Sequence, residues 1–290
     1  MAEIVAAIAC GHAPGIATRP EPDPAGRKQR VYDAYKRARG LLAETRPTAL
    51  IVVTDDHIQN FFFNNWPTLC IAFPEQMEGP AESWMPIPHY SVRGYPEFGR
   101  HLLTQALKSH FDPAWSQEFQ PDHGIMLPLH HMRPEMDLPL TVVLQNCVEP
   151  PLAPLDRFAE FGRVLGQAIA AWPQPDRFAI IGVGGISHWI GIKRMGEINE
   201  AWDRWFLDCV CQGRLDDILR LTPEDVERDA GNGGEEIRNW LTVMAATGGR
   251  QGDLLAYEPV LDWVCGCGCV FWDLTGSPRQ AATPGATAAR

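Results

Sequence analysis

The sequence predicts an α/β fold, a largely parallel sheet flanked by helices, with a helical C-terminal third. Three observations carry this. Short apolar runs rich in β-branched residues recur along the chain, stretches of helical period separate most of them, and from residue 199 the pattern becomes helix after helix. Apolar runs of strand length read as buried strands, and their alternation with helix-period segments implies parallel pairing under a helical cover.

In order, residues 3–9 form the first expected strand. Residues 27–44 follow as a helix, with Val31, Tyr35, Ala38, Leu41 and Leu42 at helical spacing. Residues 49–54, 69–73, 140–144 and 177–183 read as further strands, and 155–172 as a helix through Phe158, Phe161, Leu165 and Ile169. In the C-terminal third, Trp202, Trp205, Phe206, Leu215, Ile218 and Leu219 supply apolar faces, and Thr222-Pro-Glu-Asp marks a helix start. Two stretches read as loops: 19–26, with three prolines, and 74–96, long enough for a lid or a subunit contact. Cys265-Gly-Cys-Gly-Cys is spaced too tightly for the usual zinc or iron–sulfur patterns and reads as a tight apolar strand. Residues 1–275 are expected to be a single domain, and 276–290, rich in Ala, Pro, Thr and Gly, a disordered tail.

The formal net charge of −11 over 290 residues excludes the broad basic surface that phosphate backbones need and disfavours anionic membranes. The first ten residues lack the charged and apolar regions of a secretory signal, and no apolar run is long enough to span a bilayer. Eight cysteines without such a signal imply reduced thiols, so the expected compartment is the cytoplasm.

Open α/β sheets bind ligands beyond the carboxyl ends of their strands. His12, His57 and His188 each follow an expected strand, in Cys10-Gly-His-Ala-Pro, Thr54-Asp-Asp-His and Gly184-Gly-Ile-Ser-His, while His123 sits in Asp122-His-Gly before an apolar helix. A single histidine in such a place is more often a packed or solvated residue than a ligand; several together change the weighting. Two imidazoles and one carboxylate on one face of a metal form the facial triad of non-haem Fe(II) oxygenases, which leaves positions for substrate and O2. The carboxylate is sought in Gly231-Asn-Gly-Gly-Glu-Glu-Ile-Arg, where a glycine-rich turn feeds a helix; Glu235 and Glu236 both qualify there, and both could equally serve the helix dipole. Asp55, Asp56 and Asp122 are candidates for orienting imidazoles, against a turn-forming role at least as common.

Five blocks in order, Gly11-His-Ala-Pro, Asp55-Asp-His, Asp122-His-Gly, Gly184-Gly-Ile-Ser-His and Glu236-Ile-Arg-Asn-Trp-Leu, span about residues 3–270, and together they resemble the class III extradiol ring-cleaving dioxygenases. The resemblance implies Fe(II) held by His12, His57 and Glu236, with His188 acting as base and then acid and His123 as donor to bound oxygen or a substrate hydroxyl. It implies a catechol-type substrate such as protocatechuate, gallate or an alkylcatechol, with O2 as co-substrate, and a homo-oligomer with or without a small partner subunit. Zinc hydrolysis or metal binding without catalysis on the same scaffold are the competing readings. Arg93, Lys193, Arg194 and Arg238 are the candidates for meeting a substrate carboxylate, and Trp84 and Trp189 for walling an aromatic pocket.

Overall fold

Ala49-Leu-Ile-Val-Val-Thr54 is buried at every position, as a strand covered on both faces must be. The computed structural model describes residues 1–276; of the expected tail, 277–290 lie outside the described residues. The strands are β1 (Glu3–Cys10), β2 (Ala49–Thr54), β3 (Leu69–Ala72), β4 (Gln76–Gly79), β5 (Tyr90–Arg93), β6 (Ala114–Ser116), β7 (Leu140–Gln145), β8 (Arg177–Val183), β9 (Asp253–Val260) and β10 (Cys265–Asp273). Eight of them form one sheet in the order β6-β3-β7-β2-β8-β1-β10-β9, and β4 pairs with β5 apart from it. The central four, β7-β2-β8-β1, are mutually parallel. Antiparallel pairs lie outward of them, at β3–β7, β1–β10 and β10–β9.

The helices are α1 (Gly15–Thr18), α2 (Arg27–Thr45), α3 (Pro96–Lys108), α4 (His123–Met132), α5 (Leu155–Ala170), α6 (Glu200–Cys211), α7 (Leu215–Ile218), α8 (Pro223–Ala230) and α9 (Ile237–Ala246). The period-two alternation of β1 splits the core. Ala7 and Ala9 join the cluster under α5 and α9, while Ala6, Ile8 and Cys10 face Val31, Tyr35 and Ala38 of α2. The expected helix start at Thr222 is a full capping box, with Thr222 and Asp225 each satisfying the other's backbone N–H.

Several elements were not anticipated, the short α1 and β6 among them. The 74–96 stretch, expected as a loop, contains the β4–β5 hairpin. Helix α3 starts on Pro96 with Glu97 in its first turn, both favourable there. Strand β9 lies at the sheet edge with exposed positions, so its apolar pattern is weak. All eight cysteines are free, and Cys265, Cys267 and Cys269 are buried along β10 as expected. No helix among the described residues is long and apolar enough to cross a membrane.

Candidate metal centre and active site

The carboxyl ends of the neighbouring parallel strands β2, β8 and β1 deliver His57, His188 and His12 to one side of the sheet. His12 Nε2 and His57 Nε2 lie 3.0 Å apart. His12 Nε2 is 3.8 Å and His188 Nε2 3.5 Å from Glu236 Oε1. The sequence-named histidines His12, His57, His123 and His188 and the acid Glu236 therefore meet in one cluster. Glu235 points elsewhere, into a buried ion pair with Arg238.

Three of the four rings are held by a second contact, while His12 Nδ1 is buried without a hydrogen bond. His57 Nδ1 faces Asp122 Oδ2 at 2.9 Å and must donate to it, so His57 Nε2 presents a lone pair to the cluster. Asp122 also accepts the backbone N–H of His57 at 2.9 Å and, as N-cap of α4, that of Gly124 at 2.9 Å. His123, first residue of α4, donates Nδ1–H to Glu82 Oε1 at 2.5 Å and its backbone N–H to Glu82 Oε2 at 2.9 Å. His188 Nδ1 faces the Ile186 carbonyl at 3.2 Å. Asp56 accepts from the backbone of Gln59, Asn60 and Phe61 at 3.0–3.1 Å, a turn-forming role.

Glu236 closes a 3₁₀ turn, Gly233–Glu236, that leads into α9. The turn must be glycine-rich: a Cβ on Gly233 would lie 2.3 Å from the His188 ring. Asn239 and Trp240 fasten α9 to the end of β8, donating to the Val183 carbonyl at 2.9 Å and the Gly184 carbonyl at 3.1 Å. The Gly185 N–H then reaches Glu236 Oε2 at 2.5 Å and aims the other oxygen at the histidines.

Burial sets the electrostatics. It lowers His12 to about 3, which keeps that imidazole neutral. Burial alone would raise Glu236, but the surrounding imidazoles outweigh it, the charged His188 ring standing nearest at 3.5 Å, and hold the carboxyl below its ordinary range. Burial and the nearby Glu236 carboxylate push Asp55 up to about 7. For His188 burial is outweighed by Cys265 and Glu236, and the imidazole rises to about 10.

Candidate ligand atoms of His12, Asp55, His57 and Glu236 lie within 4.8 Å of one another, as do those of His12, His57 and His123. Asp55 Oδ1 accepts from Asn239 at 3.1 Å, while its Oδ2 is buried without a hydrogen bond, 3.6 Å from His57 Nε2. Nitrogen lone pairs facing each other beside a carboxylate and an orphaned oxygen are a donor set that fits a divalent cation.

A cavity of about 280 Å³ opens onto the cluster, with Ile190, Met195, Trp263, Val264 and Cys265 among its walls. The sequence reading named Trp84 and Trp189 for this role. The Trp84 ring centroid is 5.9 Å from that of His123, but Trp189 is buried beneath Arg194, and Trp263 takes the wall. Cys10 is buried and does not line the cavity. His89 pairs with Glu78, His130 with Tyr90, and the His131 ring stacks on Tyr35, all outside the cluster. Glu82, Asn239 and Trp263 were missed. Glu82 lies in the 74–96 stretch and nothing local marks it, whereas Asn239 could have been suspected from its spacing one turn after Glu236.

A family model for the catalytic LigB subunit of aromatic ring-opening dioxygenase matches residues 6–268. The chain is 24% identical over 294 residues to a 2,3-dihydroxyphenylpropionate/2,3-dihydroxicinnamic acid 1,2-dioxygenase of Rhodococcus globerulus, covering 84% of this chain and 90% of the relative. A relative of the same name from Burkholderia vietnamiensis is 27% identical over 274 residues, covering 77% and 84%. The crystal structure of an uncharacterized Escherichia coli K12 protein superposes with a TM-score of 0.62 at 16% identity, covering 92% of this chain and 99% of that one, and shares its fold.

Proposed function

The chain belongs to the family of catalytic LigB subunits of aromatic ring-opening dioxygenases, class III extradiol enzymes, and from that premise we propose that it opens a catechol-type ring with O2 using one Fe(II) held by His12, His57 and Glu236. The observation that carries the reading is the meeting of two Nε2 atoms and one carboxylate oxygen from segments far apart in the chain. A ferrous ion on such a face supplies open positions for a chelating diol and for O2.

The surrounding side chains divide the proton work. His123 spends Nδ1–H on Glu82, so its Nε2 is free to accept a proton from a substrate hydroxyl. Both ring nitrogens of His188 face oxygen acceptors, Ile186 O and Glu236 Oε1, an arrangement that favours the imidazolium and makes His188 the donor. This division differs from the one expected from sequence, where His188 took both roles. Asp122 keeps the His57 lone pair turned inward, and the apolar walls exclude water from the ring.

The same reading treats residues 1–275 as one cytoplasmic catalytic domain. Exposed Phe62, Phe63 and Trp115 support assembly into a homo-oligomer, with or without a small partner subunit. The test is anaerobic reconstitution with Fe(II) followed by oxygen uptake with a panel of catechols. Stoichiometric oxygen consumption and a semialdehyde-type product are expected; no consumption with any catechol, or hydrolytic activity with zinc instead, would sink the reading.

A further inference from the structure

We propose that the cavity at the histidine cluster selects a vicinal diol whose ring substituent is uncharged and apolar, not a carboxylated one; this rests on the ring-opening function proposed above. Apart from His12, His57, His123, His188 and Glu236, the cavity is lined by Ala, Pro and Gly positions together with Ile190, Met195, Trp263, Val264 and Cys265. Among the described residues, no Lys, Arg, Asn, Gln, Ser, Thr or Tyr lines it. A carboxylate tail against the Ile190, Met195, Trp263 and Val264 walls loses its water without gaining a partner, since the His188 imidazolium is already taken by Glu236 Oε1 and the Ile186 carbonyl, and it would share the cavity with the Glu236 carboxylate.

The four basic residues that could have met a carboxylate are placed elsewhere. Arg238 is fully buried and spent on Glu235 and the Ala153 carbonyl. Arg194 pairs with Glu197 and lies 4.0 Å over the Trp189 ring. Arg93 lines a different cleft with Thr48, Pro139 and Asp176, residues that precede β2, β7 and β8 and so mark the opposite end of the sheet. Lys193 is exposed between Ile190 and Met195 but is not part of the lining. Ile190 and Met195 are themselves 49% and 57% exposed, so an apolar substituent reaching the mouth would cover them. The two relatives described above carry names of carboxylated diols; this cavity is built for the same ring with a different tail.

The deciding comparison is 3-propylcatechol against 2,3-dihydroxyphenylpropionate, which differ at the tail end in methyl against carboxylate, with the iron-loaded enzyme. We expect kcat/KM to favour propylcatechol by about 10- to 100-fold, the range that one tail group commands in an apolar pocket. Met195→Arg, on the exposed rim, should narrow that ratio by about tenfold by offering a guanidinium, and Lys193→Ala should leave it unchanged. Equal or better turnover of the propionate, a ratio unmoved by Met195→Arg, or a selective loss of propionate turnover in Lys193→Ala would overturn the proposal. If neither diol is opened, the ring-opening function itself fails, and the two failures are thereby told apart.

Discussion

Asp122 grips His57 twice: one carboxylate oxygen, Oδ2, lies 2.9 Å from the backbone nitrogen and 2.9 Å from ring Nδ1. The same side chain caps α4 through its other oxygen. One residue thus starts the helix that carries His123 and fixes the ring of its neighbour in the cluster. Asp122→Ala is expected to lower Fe(II) affinity by about 10- to 100-fold and to cost about 1 kcal/mol of stability through the lost cap. Competition with a coloured chelator and denaturant unfolding measure the two effects separately.

The two adjacent glutamates should fail in different ways. Glu236→Ala and His12→Ala are expected to purify without bound iron, while His188→Ala retains it and loses most turnover. Glu235→Ala should keep the metal but lose about 3–5 kcal/mol, because Arg238 is left charged, buried and unpaired. Metal analysis beside unfolding curves decides it; iron loss in Glu235→Ala alone would exchange the two assignments.

Glu82→Gln tests the support of His123. The amide still fills the space but no longer holds Nδ1–H as a carboxylate does, so kcat should fall by about 10- to 100-fold with iron affinity unchanged. A matching fall in metal content would mean that Glu82 acts on the centre as a whole.

Asp203 offers a test by pH. Burial raises its carboxyl to about 6, against the Ser187 N–H and Tyr257 hydroxyl donors that would lower it. A carboxyl raised on folding favours the folded state most when protonated, so its contribution is full below the ordinary carboxyl range and is lost as pH rises through about 6. The stability of the wild type relative to Asp203→Asn should therefore decline between about pH 4 and pH 6 and level off above. A difference flat across that window would contradict the shift.

Much of this was legible before the structure because the strands that matter are buried on both faces and read as unbroken apolar runs. Residues just past their ends could then be placed on one side of a parallel sheet without knowing any side-chain position, which is how His12, His57 and His188 were found. Glu236 was legible through its glycine-rich approach, where only the family resemblance separated it from Glu235; in the fold Glu235 turns to Arg238 instead. Glu82 was not: it reaches His123 from a Pro- and Gly-rich stretch whose path depends on the β4–β5 hairpin, two four-residue strands too short for their alternation to stand out. Trp263 was hidden for a related reason, since it sits in the short 3₁₀ turn between β9 and β10 and gains its place on the cavity wall from packing across the chain.

Strand β1 lies between β8 and β10, so the segment carrying His12 has no complete seat until the last strand has been synthesised. On a ribosome, β1 would wait for the distant β10, and such pairings form slowly. Nascent chains should consequently emerge without tight affinity for iron. Metal capture then becomes a report on finished folding, and truncation before residue 265 should abolish it.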